Sequence, residues 1–277
     1  MQKTLLALAL AAAAIAPAHA SLSITDEAFN YTQSFDSLAN TGTSPVAWAN
    51  DSTIEGWSLF IKNGTAAPTY VVNNGGTSVS SFQSFGLTGE TDRALGAQVN
   101  NNTYFGAAAG DIAGWIALSV KNNGSERSGF NIKFDGEQWR NNGSPTAQSM
   151  ELEYGFGETF GTVSGWTKPG AAFNWSSVVN TSSQAAVDGN VAGIVAGKAG
   201  GKVANVGGDI TATWAAGQTL WVRWNDKNDA GNDHALAIDN VTLSVAAVTA
   251  VPEPQTYAML LAGLGAIGFV ARRRAAK

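Results

Sequence analysis

The sequence predicts an all-β domain, a two-sheet antiparallel β-sandwich, followed by a C-terminal transmembrane helix. Three observations support this prediction. Short central segments alternate apolar and polar residues, clusters of Asn and Gly separate these segments, and the long uninterrupted apolar runs lie at the two ends. The predicted parts are a signal peptide at residues 1–20, the sandwich at residues 21–248 and a tail at residues 249–277.

The N-terminus has the pattern of a cleavable signal peptide. Lys3 precedes an apolar run over residues 5–16, and Ala18 and Ala20 are the small residues that a signal peptidase reads. The run is shorter than the roughly 20 residues that a spanning helix needs. We therefore expect signal peptidase to cleave before Ser21.

Alternation predicts the strands of the sandwich. In residues 129–134, Phe130, Ile132 and Phe134 fall on one face, which we expect to face the core. Antiparallel sheets with one wet face fit this pattern. Residues 184–206 are rich in Ala, Gly and Val and could form a long loop or a short helix. The strand-like segments are 115–120, 129–134, 150–154, 219–224 and 235–245.

Composition excludes several kinds of chemistry. The chain has no cysteine, and of its two histidines only His234 lies outside the signal peptide. Thiol catalysis, zinc–thiolate sites and multi-histidine metal sites are therefore excluded. Only 13% of the residues are charged and the net charge is −5, so we expect no nucleic-acid partner.

An acidic cluster near the end of the sandwich suggests a metal site. Asp226, Asp229 and Asp233 lie within eight residues, with asparagines and a glycine between them. Oxygen donors on a flexible loop suit Ca²⁺, which takes about six to eight oxygen ligands. A solvated turn between two strands is the alternative. The sequence leaves structural Ca²⁺ and the solvated turn both open.

Glu137, Trp139 and Arg140 form a candidate ligand site. An indole ring can cover the apolar side of a sugar while neighbouring charged groups bond its hydroxyls. The alternative is a core tryptophan beside a local ion pair, because aromatic residues of β domains mostly lie in the core.

Glu151 and Glu153 raise the question of catalysis. They are two apart on a predicted strand, so both point to one face, and paired carboxylates about 5 Å apart serve retaining glycosidases. The neighbouring residues do not complete that pattern, and no nucleophile motif accompanies His234. We therefore predict no catalytic residue and no enzymatic activity.

The C-terminal tail has three parts. A Pro-Glu-Pro box interrupts regular structure, an uncharged apolar run follows, and an arginine cluster stays cytoplasmic by the positive-inside rule. The run is therefore predicted to anchor the chain in the inner membrane. The box is Pro252, Glu253 and Pro254, the anchor residues are Tyr257, Leu260, Leu261, Leu264, Ile267, Phe269 and Val270, and the cytoplasmic stop is Arg272, Arg273 and Arg274.

This tail resembles a PEP-CTERM sorting signal, with the box, the Met-Leu-Leu-Ala-Gly-Leu-Gly core and the arginines in the family's order. The resemblance covers residues 251–277. It implies cleavage near the box by an exosortase-type membrane protease. It also implies an exported protein, held transiently at the inner membrane and then passed to the cell surface or extracellular matrix. A simple anchor without processing is the alternative.

The central region resembles secreted bacterial β-sandwich modules and, in general layout, jelly-roll carbohydrate-binding and adhesion modules. That resemblance implies that the opening and closing acids approach each other and share a structural Ca²⁺, which points to Asp36 and Asp239. Asn240 stands where those modules commonly have a second acid. The matching stretches are residues 35–38, 48–57, 84–96, 136–140 and 231–239.

These observations predict a non-enzymatic surface or matrix protein whose sandwich binds exopolysaccharide. Two alternatives stay open. One is a secreted glycan hydrolase of the concanavalin-like type, and the other is a structural envelope component without a ligand.

Overall fold

A computed structural model describes residues 22–99, 104–195, 198–248 and 256–275. It divides into two compact units, residues 1–246 and 247–277, which are treated separately below. The predicted cleavage residues Ala18, Ala20 and Ser21 and the predicted box lie outside the described residues.

The first unit is built from short and long strands, as the alternation predicts. In chain order they are β1 (Ser23–Ile24), β2 (Phe29–Gln33), β3 (Val46–Ala47), β4 (Trp57–Ile61), β5 (Thr65–Ala66), β6 (Thr69–Asn73), β7 (Ser81–Phe85), β8 (Ala94–Gln98), β9 (Ile112–Asn122), β10 (Arg127–Asn142), β11 (Ser149–Phe156), β12 (Trp175–Ser176), β13 (Gln184–Ala186), β14 (Ile194–Val195), β15 (Lys198–Ala199), β16 (Lys202–Trp214), β17 (Thr219–Lys227) and β18 (Ala235–Val245). Three 3₁₀ turns, Lys62–Gly64, Phe160–Thr162 and Ala171–Phe173, accompany them.

The strands form two main sheets. A seven-stranded sheet has the order β12-β11-β17-β9-β4-β5, with β1 beside β9. A nine-stranded sheet has the order β13-β10-β18-β8-β7-β6-β3, with β16 beside β10 and β2 beside β18. The all-β, two-sheet prediction is confirmed. Pairing is mostly antiparallel, but β1–β9 and β6–β7 are parallel, so the prediction of purely antiparallel sheets is wrong for these two pairs.

The two sheets pack face to face around one aromatic core. Trp57 stacks on Trp224 within the seven-stranded sheet, with 5.6 Å between ring centroids. Phe134 of the nine-stranded sheet meets Trp224 edge-on at 5.4 Å. Phe130, Ile132 and Phe134 are all buried in this core, as their spacing predicts.

The outer face of the nine-stranded sheet is partly covered. Trp139 points to this face and stacks on Phe85 at 6.1 Å. Gly189 lies over the indole so closely that a Cβ there would sit 2.4 Å from its nitrogen. Residues 184–206 contain the strands β13, β14 and β15 and the start of β16, so neither a long loop nor a short helix describes them.

A loop segment, residues 157–168, lies over the outer face of the seven-stranded sheet; we call it the strap. Phe160 of the strap stacks on Phe60 at 4.0 Å and also contacts Trp115 and Trp221. A small second core therefore lies beneath the strap.

The second unit contains one helix, α1 (Thr256–Ala275). Leu261, Leu264 and Ile267 are exposed, and the arginine cluster occupies the last turn, where positive charge favours the helix dipole. No helix of the described residues combines the length and the apolar character needed to cross a membrane. The predicted helix is confirmed, but the structure does not support its assignment as a transmembrane span.

Candidate functional sites

The candidate ligand site at Glu137, Trp139 and Arg140 is inside the molecule. Trp139 is fully buried, and its Nε1 donates to Glu137 Oε2 at 3.0 Å. The Arg140 guanidinium donates to the carbonyl oxygens of Gly75 and Gly76 at 3.0 and 3.2 Å. A sugar ring cannot reach the indole face in this arrangement. The structure therefore corrects the ligand-site prediction and agrees with the alternative, a core tryptophan.

Glu137 is a buried carboxyl group in contact with a lysine. Lys202 Nζ lies 3.5 Å from Glu137 Oε1 and 2.9 Å from Asp135 Oδ2. Burial raises the pKa of Glu137 to about 8, and the negative charge of Asp239 adds to the rise. Lys202 and the Trp139 indole oppose it. No sequence pattern indicates this pair, because Lys202 lies on β16, 65 residues after Glu137.

Asp36 and Asp239 are the two acids to which the resemblance to jelly-roll modules points. Asp36 Oδ1 accepts a hydrogen bond from the backbone N–H of Arg93 at 3.0 Å. Asp239 is buried, and its Oδ1 has no hydrogen-bond partner. Burial raises the pKa of Asp239 to about 7, with Asp92 and Asp36 adding to the rise. The shared Ca²⁺ that the resemblance implies for Asp36 and Asp239 stays a prediction.

Asp226 lies near the end of β17, and Asp229 and Asp233 lie in the loop between β17 and β18. Asp226 and Asp233 are buried, and Asp233 Oδ1 accepts the backbone N–H of Asp229 at 2.6 Å. Burial raises the pKa of Asp226 well above its usual value, and the charges of Asp233 and Asp229 raise it further. A solvated turn does not describe these two side chains. Across the described ranges, no set of three or more His, Cys, Asp or Glu side chains is arranged to hold a metal ion.

Glu151 and Glu153 point to the outer face of the seven-stranded sheet and form ion pairs. Glu153 Oε2 accepts two hydrogen bonds from Arg223, at 2.6 and 2.8 Å. Glu151 Oε2 lies 2.5 Å from Lys168 Nζ, and this hydrogen bond is the main cause that lowers the pKa of Glu151. A glycosidase needs one carboxylic acid with a raised pKa as proton donor, and Glu151 has the opposite shift.

A polar surface on the nine-stranded sheet has no counterpart in the sequence predictions. On β2, β18, β10 and β16, side chains in register form two adjacent rows on the outer face. We call them the polar ladder; one row is Asn30, Ser244, Asn131 and Asp209, and the other is Thr32, Thr242, Lys133 and Gly207.

The polar ladder is accessible and slightly concave. Concavities of about 470 and 280 Å³ lie along it, the larger lined by Asn30, Asn131 and Ser244 and the smaller by Thr32 and Thr242. Within the ladder, Asn131 Nδ2 donates to Asp209 Oδ1 at 2.7 Å. The face thus presents mainly short, neutral donors and acceptors. No sequence pattern could show it, because four strands far apart in the chain supply one row.

The tail completes the candidate sites. A comparison with curated proteins finds no match to this chain. A family model described as the PEP-CTERM protein-sorting motif matches residues 250–274. That motif implies export and processing by exosortase, a membrane protease. The predicted sorting signal is therefore confirmed: this chain carries a PEP-CTERM protein-sorting motif at its C-terminus.

Proposed function

We propose that this chain is a non-enzymatic protein of the cell surface or extracellular matrix, whose sandwich binds exopolysaccharide. The match of residues 250–274 to the sorting motif supports the export and sorting of this chain. Signal peptidase removes residues 1–20. The tail then holds the chain at the inner membrane until exosortase cleaves near Pro252, Glu253 and Pro254.

The chemistry of α1 supports this temporary membrane attachment. Met259, Leu261, Leu264 and Ile267 expose apolar side chains, and arginines follow them in the last turn. Apolar side chains favour the hydrocarbon region, while arginine side chains can extend to the polar headgroups.

The polar ladder is the surface that we assign to exopolysaccharide. A hydroxyl-rich polymer presents alternating donors and acceptors, and Asn131, Thr242 and Ser244 offer the same chemistry along a concave face. Successive rows on a strand lie about 7 Å apart, so the two rows offer an extended chain more than one contact.

The ion pairs of Glu151 and Glu153 support a binding role in preference to hydrolysis. Both carboxylates are held by cationic side chains, and Glu153 is buried. Glu137, the carboxyl group with a strongly raised pKa, is fully buried and thus out of reach of a polymer.

The proposal is tested by measuring how strongly the secreted mature protein binds exopolysaccharide purified from the bacterium that produces it. We expect Asn131→Ala combined with Thr242→Ala to weaken binding by about fivefold or more, equivalent to roughly 1 kcal/mol for a lost hydrogen bond. Thr65→Ala, an exposed residue of β5 in the other sheet, is the matched control and should bind as the wild type does. Released reducing ends that disappear in Glu151→Gln would instead identify a hydrolase.

The mass of the mature C-terminus tests sorting separately. We expect it to end near the Pro-Glu-Pro box in cells that contain exosortase. Full-length tails in those cells would contradict processing without affecting the result for the sandwich.

A further inference from the structure

Arg93 is a buried cation whose hydrogen-bond partners are uncharged. It is 1% exposed and lies directly before β8. Its Nε donates to Ser84 Oγ at 2.9 Å, and its terminal nitrogens donate to the carbonyl oxygens of Ser84, Asn73 and Leu87. A guanidinium has five N–H groups, so these four acceptor atoms leave one N–H of Nη1 for a further partner.

No carboxylate neutralises this guanidinium at close range. Within the part of the chain that the structure describes, no salt bridge includes Arg93. The nearby carboxylate of Asp36 accepts the backbone N–H of Arg93 at 3.0 Å. Burial lowers the pKa of Arg93 and outweighs the charges of Asp92 and Asp36, which raise it. A buried charge of this kind is stabilised by a close counter-charge, so an anion beside it would be favoured.

The guanidinium lies at the wall of a cavity of about 340 Å³. Asn73 and Leu87, which accept its hydrogen bonds, line this cavity together with Arg93 and Gly86. A Cβ at Gly86 would lie 2.2 Å from Nη1 of Arg93, so this nitrogen is next to a residue of the cavity wall. Of the described residues that line the cavity, Arg93 alone is charged. The cavity therefore favours a ligand with negative charge.

The exposed rim of the cavity offers neutral hydrogen-bonding groups. Thr41, Thr43 and Thr88 contribute hydroxyl groups. Asn74 also lines the cavity, and its Nδ2 donates to Thr88 Oγ1 at 2.8 Å. Hydroxyl groups around a single cation match a ligand that carries one negative charge and several hydroxyl groups of its own. The cavity volume lies in the range of about 300–1,000 Å³ that is usual for small-molecule sites.

We propose that this cavity binds a uronate, a sugar unit that carries a carboxylate, with Arg93 Nη1 as the donor to its charge. A hydrogen bond between two charged groups is stronger than one between neutral groups. The threonine hydroxyls bond the hydroxyls of the sugar. The preference for negative charge rests on Arg93, whereas the choice of a sugar rests on the proposed function. The cavity shares no residue with the polar ladder, so an acidic polysaccharide has two separate contacts on the sandwich.

Titration of the mature protein with D-glucuronate tests the site, with the Arg93 Nε–H signal in ¹H–¹⁵N NMR spectra as the readout. We expect a saturable shift of this signal. Glucose, which lacks the carboxylate, should bind at least about tenfold more weakly, because a hydrogen bond to a charged group is lost. Acetate, which lacks the hydroxyls, should also bind more weakly. Equal binding of glucose would overturn the role of the charge, and equal binding of acetate would overturn the choice of a sugar.

Substitutions of Thr41 change the charge of the cavity without altering Arg93. Thr41 is exposed, so the variants should fold. We expect Thr41→Asp to weaken glucuronate binding by about fivefold or more and Thr41→Lys to strengthen it, because the added charge repels or attracts the carboxylate. The neutral Thr41→Asn is the matched control and should stay close to the wild type. Unchanged affinity in both charged variants would overturn the proposal and leave Arg93 with a structural role only.

The uronate site and the polar ladder can fail independently. Asn131→Ala combined with Thr242→Ala should leave glucuronate binding unchanged, because both residues lie outside the cavity. Glucuronate binding without any binding of exopolysaccharide would support the cavity and contradict the proposed function. Exopolysaccharide binding without a response of the Arg93 signal to glucuronate would overturn the cavity and leave the proposed function standing.

Discussion

Glu137 places a titrating group in the interior of the domain. Its pKa is about 8 in the folded chain and near 4.5 when solvated, so the folded state binds more protons between these pH values. The contribution of Glu137 to the stability of the fold is therefore complete below about pH 4.5 and is lost as the pH rises toward 8. Asp239, with a pKa of about 7, acts in the same direction.

Glu137→Gln should remove part of this pH dependence. The amide keeps an oxygen for the Trp139 indole but does not ionise. In the wild type, the free energy of unfolding should fall between pH 5 and pH 8. We expect this fall to be smaller in the variant by at least about 1 kcal/mol. Urea unfolding at pH 5, 6.5 and 8 measures this difference. Glu158→Gln, at an exposed position, should retain the wild-type slope, and equal slopes in all three proteins would contradict the assignment.

Gly136 marks a place where the core admits no side chain. A Cβ at this position would lie 2.2 Å from the Trp175 ring. Gly136 lies on β10 of the nine-stranded sheet and Trp175 on β12 of the seven-stranded sheet, so strand pairing holds both residues in place. We expect Gly136→Ala to lower the free energy of unfolding by about 1–3 kcal/mol through overpacking. Gly165→Ala, where nothing lies within 4 Å, is the control and should change it by less than about 0.5 kcal/mol. A Gly136→Ala variant as stable as this control would show that the tryptophan moves aside at little cost.

The strands show what sequence periodicity can and cannot predict. Phe130, Ile132 and Phe134 alternate, so their common face and its burial followed directly from the pattern. Trp139 continues the same strand, but its burial depends on Gly189 from a distant segment without periodicity. The strap is likewise defined by contacts of Phe160 with strands β4, β9 and β17, and no local pattern announces them.

Phe160 should hold the strap on the sheet. The ring is 8% exposed and contacts Phe60, Trp115 and Trp221, and the Arg223 guanidinium lies 5.7 Å from its centroid. We expect Phe160→Ala to cost about 3 kcal/mol of stability and to speed proteolysis within residues 157–168.

Val178→Ala provides the comparison for Phe160→Ala, because Val178 is 50% exposed and its truncation should cost less than about 0.5 kcal/mol. Denaturant unfolding gives the energies, and peptide mapping gives the cleavage sites. Unchanged proteolysis of the strap in Phe160→Ala would mean that other contacts fix it.

At the scale of the whole molecule, the two units were predictable to different degrees. The tail is a linear signal, so its order of proline box, apolar run and arginines could be read from the sequence. The polar ladder depends on register: Asn30, Ser244 and Asn131 become neighbours only when β2, β18 and β10 pair. The acidic segment that contains Asp226 was partly predictable. The spacing of its acids is visible in the sequence, but the burial of Asp226 is not.

The folded core should be independent of the tail. Buried core residues run from Ile24 to Val245, and no described residue of α1 belongs to the core. We expect a protein of residues 21–246 to unfold with a Tm within about 1 °C of that of residues 21–277, which keep the tail, since even 1 kcal/mol would shift the Tm by about 2–4 °C at this size. Calorimetry of both proteins in the same buffer measures the difference.

A shorter truncation supplies the control and sharpens the argument. Ending the chain at Asn240 removes Val241, Leu243 and Val245, three buried residues that pair with β2, and Leu243 also pairs with Ile132 of β10. Losing these side chains and their ladder hydrogen bonds exceeds the marginal stability of a typical domain, so this protein should not fold. If ending at residue 246 already lowered the Tm by several degrees, the tail would contribute to the stability of the sandwich, and its removal during sorting would weaken the fold.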